Sequence, residues 1–316
     1  MLKIHFFNVA EGDAILLEYE GCGSSFRMLV DTGRSFLPES QGSLRQTAAA
    51  HLRKLHIGHI DVLVLTHLHV DHIQDLPELL DSVTFGTIFS TYFPPDPSLR
   101  ISPVSSDLKA VRELPQDLNT LAESIEKAER SGTKMILVDK EQYIPISRSY
   151  GSILIRMPAE NSLDFQNSVC DRLFYGLPLT EEEIYRAAKS RNPNSLRLRI
   201  EYKGKTIALD GDYYAFDAEN ESQQPCDILK AAHHGDRKSM TEKLAAMLRP
   251  EYAVVSCMRE YDSEKDRPSQ TALDHLRKYG ARIFYTDCFA EEGCQPEFHE
   301  EILIIIDDNG TLRTIH

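Results

Sequence analysis

The sequence predicts an α+β protein built as a four-layer αββα sandwich, and three observations carry that prediction. Strand patterns cluster near the N-terminus and again after residue 195, and helical periodicities accompany each cluster. Histidine and aspartate motifs fall just after strands, where two mixed sheets packed face to face bring them to one edge. The stretch from about 94 to 190 is less regular and reads as an insertion at that edge of a single domain spanning 1–316.

Taken in order, apolar and polar residues alternate over 3–8, 14–19 and 26–30, with the turn Glu11-Gly12-Asp13 between the first two, so an antiparallel meander opens the fold. Leu44, Ala48, His51, Leu52 and Leu55 recur at helical spacing and predict a helix ending near Gly58. Residues 62–65 form a short continuous apolar run, as in a strand covered on both faces. A helix over 73–80 and a strand over 87–92 follow, the latter ending before Pro94-Pro95. The irregular region holds a polar helix over 118–130, strands near 135–138 and 152–156, and a helix near 181–189. Strands return at 195–202 and 206–209 around the turn Lys203-Gly204, then at 228–231, 252–256, 282–285 and 302–306, with helices at 241–248 and 270–279.

Composition narrows the function classes. With 41% hydrophobic and 27% charged residues the chain has the profile of a globular protein. The longest apolar runs fall far short of the ~20 residues of a membrane span, and no secretion signal opens the sequence, so no membrane association and a cytoplasmic location are expected. Cys22, Cys170, Cys226, Cys257, Cys288 and Cys294 lack a C-x-x-C pair and read as reduced thiols. A net charge of -14 opposes non-specific attraction to polyanions. A polyanionic substrate would need a local basic patch, for which Arg197, Arg199, Lys203 and Lys205, or Lys230, Arg237 and Lys238, are the candidates. Scattered solubilising charge is the other reading of the first group.

The chemistry concentrates in the run Thr66-His-Leu-His-Val-Asp-His72. His67 and His69, two apart after a buried strand, can converge on one ion, while Asp71 and His72 follow where the next helix begins. Imidazole and carboxylate donors without thiolates suit zinc or manganese in an open site that keeps a position for water. Two further clusters follow strands, Leu209-Asp-Gly-Asp212 and Lys230-Ala-Ala-His-His-Gly235. Asp31 reads as a brace accepting a ligand histidine's second ring proton, or as an ordinary turn aspartate. Asp13 reads as a turn residue. His234 is a ligand in place of His233, a substrate contact or a core histidine.

Together, Gly12-Asp13-Ala14, Asp31-Thr32-Gly33, the run from Thr66 to His72, Asn194-Ser195-Leu196, Gly211-Asp212 and His233-His234-Gly235 resemble the metallo-β-lactamase superfamily, nearest to the hydrolase domain of ComEC-type competence proteins. The likeness spans nearly the whole chain apart from 94–190. It implies an αββα fold with two divalent ions, zinc or manganese, bridged by Asp212. His67 and His69 would hold the first ion, and Asp71, His72 and His233 the second. The wider superfamily places another histidine shortly before the strand that starts here at Ser195, yet no histidine lies between His72 and His233. Asn192 or Asn194 occupies that region, as an asparagine does in ComEC-like members, which implies a weakly held first ion. Asn194 and Ser195 would support the ligands or touch substrate. Arg267, where relatives carry a His-Pro-Ser run near the site, either clamps an anionic oxygen with its forked donors or is a plain surface arginine.

The resemblance implies hydrolysis by a hydroxide bridging ions roughly 3.5 to 4 Å apart, with Asp71 or His234 managing the proton. The expected activity is that of a phosphodiesterase or nuclease, with nucleic acid or a small nucleotide as substrate. A small-molecule phosphodiester, ester or lactone hydrolase is the nearer alternative, and a low-turnover scaffold or regulatory subunit the more distant one. A protein partner or homo-oligomer is compatible with either.

Overall fold

The alternating N-terminal segments fold into the expected antiparallel meander, β1 (Leu2–Phe7), β2 (Ile15–Gly21) and β3 (Ser24–Val30). The computed structural model describes residues 1–21, 23–39, 42–147, 151–158, 162–221, 223–258, 267–287 and 299–315. Cys22, Cys288 and Cys294 lie outside them, while Cys170, Cys226 and Cys257 are buried free thiols. The Thr47 hydroxyl caps α1 (Ala48–Lys54) by accepting from the Ala50 amide at 3.2 Å. β4 (His59–Val64) then runs parallel to β3. The helix expected over 73–80 is two single turns, α2 (Val70–Ile73) and α3 (Leu76–Leu79), because Pro77 in the first turn of α3 starts a new helix. β5 (Thr84–Ser90) lies parallel to β4.

Residues 94–190 supply edge strands and covering helices. α4 (Lys109–Arg130) leads to β6 (Lys134–Leu137), which extends the first sheet beyond β5. β7 (Gln142–Ser147) and β8 (Gly151–Arg156) are followed by α5 (Leu163–Phe174) and α6 (Glu181–Lys189). The C-terminal part runs β9 (Arg197–Tyr202), β10 (Lys205–Leu209), α7 (Ala215–Glu219), β11 (Ile228–Lys230), α8 (Glu242–Leu248), β12 (Tyr252–Val255), α9 (Gln270–Lys278), β13 (Arg282–Tyr285), β14 (Glu301–Ile306) and β15 (Leu312–Ile315).

Two mixed sheets result, one ordered β15-β14-β1-β2-β3-β4-β5-β6 and the other β13-β12-β11-β10-β9-β8-β7. Phe6, Leu17 and Val64 of the first sheet meet Ile153, Leu198 and Ile207 of the second in one apolar layer. Burying each such side chain contributes roughly 1.5–3 kcal/mol. Leu16, Leu29 and Leu63 face the other way, towards Leu114, Leu118 and Leu121 of α4, and α7 to α9 cover the outside of the second sheet. The layers therefore read helix, sheet, sheet, helix, as expected. Within each sheet the strands that carry the motifs, β4, β10 and β11, have parallel neighbours, and their C-terminal ends open onto one edge. Among the described residues no helix is long and apolar enough to cross a membrane.

Candidate metal centre

Two sets of donor atoms meet at the sheet edge and share Asp212. In the first, atoms of His67, His69 and Asp212 lie within 4.8 Å of one another; in the second, atoms of Asp71, His72, Asp212 and His234 do. His67 Nε2 stands 3.6 Å from Asp212 Oδ2, whereas His72 Nε2 and His234 Nε2 stand 3.4 and 3.6 Å from Asp212 Oδ1. Asp71 Oδ2 is 3.3 Å from His234 Nε2 and 3.8 Å from His72 Nε2. Ligands about 2.1 Å from a tetrahedral ion stand about 3.4 Å apart, so these separations fit such an ion. His72 Nε2, His234 Nε2 and Asp212 Oδ1 are buried without any hydrogen-bond partner. Orphaned polar atoms aimed at a common point are costly unless a cation satisfies them.

The local backbone explains how the donors get there. Gly12, at φ +144°, sits so close to the metal loop that a Cβ would lie 2.4 Å from the Asp71 carbonyl, so the β1–β2 turn packs directly beneath α2. His233 and His234 both adopt left-handed conformations, at φ 51° and 57°, which cost roughly 1–2 kcal/mol each. That tight turn fans the two imidazoles apart. His234 reaches Asp71 and the Oδ1 side of Asp212, while His233 Nε2 faces Oδ2 at 3.5 Å and Asn192 Nδ2 at 3.1 Å.

Behind the donors lies a hydrogen-bonded brace. Asp31 Oδ2 accepts from His72 Nδ1 at 2.7 Å and from the Thr66 hydroxyl at 2.6 Å, and Oδ1 accepts from the Thr66 amide at 2.7 Å. The Ser256 carbonyl accepts from His234 Nδ1 at 3.1 Å. Each bond leaves Nε2 with its lone pair facing the site. Ser195 Oγ accepts from the Asp212 amide at 3.2 Å and orients the shared carboxylate.

The electrostatics suit a cation. Burial disfavours the charged form of His72, yet Asp212, Asp31 and Asp71 outweigh it and hold its pKa well above the ordinary value. Burial would raise Asp71 and Asp212 too, but the surrounding histidines keep both well below the usual carboxylate range. Burial and neighbouring histidines push His67 well down; burial and Arg191 do the same for His69, so both are neutral donors. Burial holds His233 down at about 4.

Several expectations change. His234, not His233, joins Asp71 and His72, because its Nε2 is the one aimed at Asp71. Asn192 is the asparagine at the site, whereas Asn194 turns to α5, accepting from the Ser162 hydroxyl and donating to Gln166. Asp13 is not a plain turn residue: it is buried against Lys230, with Oδ2 3.9 Å from His72 Nδ1. Lys230 thereby leaves the candidate basic patch. Arg197 and Arg199 leave theirs as well, paired inward with Glu221 and Asp210. Arg267 does border the site, held 3.3 Å from Asp236 and 3.5 Å from Glu11. Sequence reasoning missed the buried pair of Arg191 with Asp117. It also missed the partner of Lys230, although a lysine inside the apolar run 228–232 was a signal.

The sets open into a cavity of about 370 Å³ bounded by α4, the turn after α6, Tyr214 and Arg267. Residues 9–88, which hold the whole histidine motif, match the model of the metallo-beta-lactamase superfamily. ComE operon protein 3 of Bacillus subtilis (strain 168) is 30% identical over 107 residues, which is 31% of this chain and 13% of that protein. Similar solved structures include the metallo-beta-lactamase fold protein YhfI of Bacillus subtilis, at TM-score 0.45 and 13% identity over 90% of this chain and 95% of that one. Human tRNase Z, short form, gives TM-score 0.43 and 14% identity over 97% and 100%. Zinc-bound PqqB of Methylobacterium extorquens gives 0.43 and 11% over 90% and 98%.

Proposed function

From its metallo-beta-lactamase superfamily segment, residues 9–88, we propose that this chain is a metal-dependent hydrolase of small phosphodiesters such as nucleotides. The carrying observation is the pair of donor sets sharing Asp212 at the floor of a polar cavity rimmed by Arg34, Lys109, Lys189, Lys238 and Arg267. His67, His69 and Asp212 Oδ2 would hold one divalent ion, zinc or manganese, and Asp71, His72, His234 and Asp212 Oδ1 the other. Such ions supply Lewis-acid polarisation of phosphoryl oxygens and activation of water at neutral pH.

The chain's own residues do the rest. Rim cations orient the anionic substrate and select against neutral esters. Asp71 and His234, first considered for proton handling, are occupied as donors. His233, the cavity-lining imidazole outside both donor sets, would relay a proton, though burial holds it at about 4 and makes it a weak base at pH 7. Glu11, Glu113 and Asp236 interrupt the basic rim, and the chain carries a net charge of -14, which together favour a small substrate over a polynucleotide.

The test is turnover of bis-p-nitrophenyl phosphate, a linear dinucleotide, single-stranded DNA and a lactone by zinc- or manganese-loaded protein, beside His67→Ala. Metal-dependent cleavage of the first two, lost in the variant, is expected. Faster cleavage of DNA than of the dinucleotide would move the reading to a nuclease. Turnover of the lactone alone, or of nothing despite bound metal, would overturn it.

A further inference from the structure

Beyond its electrostatic effect on His69, Arg191 takes no part in the proposed chemistry, yet it is among the largest fully buried side chains, at 2% exposure. Its Nε donates to the Ala188 carbonyl at 3.1 Å, and its Nη1 donates to Asp117 Oδ2 at 2.5 Å and to the Leu68 carbonyl at 2.8 Å. Leu68 is the residue between His67 and His69. On the other side of His67, the Thr66 carbonyl accepts from the Leu196 amide at 2.8 Å. One short segment, 191–196, thus grips the peptide groups that lead into His67 and into His69. Asp117, on α4, steadies the guanidinium doing so.

We propose that Arg191, anchored by Asp117, is a positioning residue that keeps His67 and His69 converged, so that the first donor set stays formed with one donor fewer than the second. A buried ion pair adds little stability over apolar residues of the same bulk, so holding the fold together does not account for it. A planar guanidinium contributes direction: the two N–H bonds of Nη1 fix the Leu68 carbonyl relative to the Asp117 carboxylate. The second set does not share this clamp, since Asp31 holds His72 and the Ser256 carbonyl holds His234. Residues 94–190 thereby acquire a role at the site through α4 and the end of α6.

The inference rests on the two-ion reading above, and its test separates the two. Zinc alone is titrated into the full chain against a competing chelator, with Arg191→Lys and the paired change Arg191→Met with Asp117→Leu beside the unaltered chain; thermal melting is followed in parallel. The unaltered chain is expected to bind two ions. In both variants one ion keeps its affinity within about twofold while the other weakens ten- to a hundredfold, the usual cost of losing support behind a ligand. Two ions bound with unaltered affinities in the variants, or both weakened together with the melting temperature, would overturn the positioning role and leave the two-ion reading standing. Fewer than two ions in the unaltered chain would overturn both.

Discussion

The two donor sets draw on the same aspartate but differ in what stands behind them. The set of Asp71, His72 and His234 has a hydrogen-bonded brace on each imidazole, and carboxylates around His72 that outweigh its burial. The set of His67 and His69 has neutral imidazoles whose facing nitrogens stand 2.9 Å apart, and one donor fewer than the other set. In the first case a hydrogen bond reaches each imidazole directly; in the second only His67 has one, from the Thr66 hydroxyl, and the remaining grip is on the backbone.

The comparison breaks most severely at the shared residue. Asp212→Ala should release both ions together and lower phosphodiester turnover on the order of 10³-fold or more, checked by metal analysis and single-turnover rates; retention of either ion would mean the sets are independent. Next in size, Lys230→Met should cost about 3–5 kcal/mol in denaturant unfolding, because it leaves the buried Asp13 carboxylate uncompensated behind His72. Adding Asp13→Leu should recover most of that loss.

Acid separates scaffold from site. Burial depresses His51, stacked on Phe7 at 4.4 Å, to about 4, so its neutral form stabilises the fold above pH 6.5 and that contribution is lost as pH falls from 6.5 to 4. The contribution is on the order of 3 kcal/mol, and His51→Phe should flatten the dependence of melting temperature on pH across that window. An unchanged slope would place the acid-sensitive groups elsewhere. The smallest effect sharpens the contrast: Asp31→Asn should weaken the second ion about 10–100-fold and the first ion less, as competition titrations would resolve. Asp31 bonds His72 directly but reaches His67 only through Thr66.

What could be read from the chain follows from how local each determinant is. Strands with strict alternation, and the cluster of four donors within six residues, announce themselves because their meaning lies in short spacing. Strand 142–147 did not, because Pro145 masks it; the proline is tolerated since β7 is an edge strand. The first turns of α4 were hidden in the same way by Pro115. The choice between His233 and His234 depends on two consecutive left-handed residues that only the turn after β11 dictates. Arg191 and Asp117 stand 74 positions apart, and no spacing rule links them.

Asp212 offers one oxygen to each side, and this has a consequence for how the centre fills. On the two-ion reading, an ion on one side would fix the carboxylate's rotation for the other, while the two cations would repel each other across it. The two sites would then fill as a coupled pair, by a free energy that is reciprocal and whose sign a zinc titration reads.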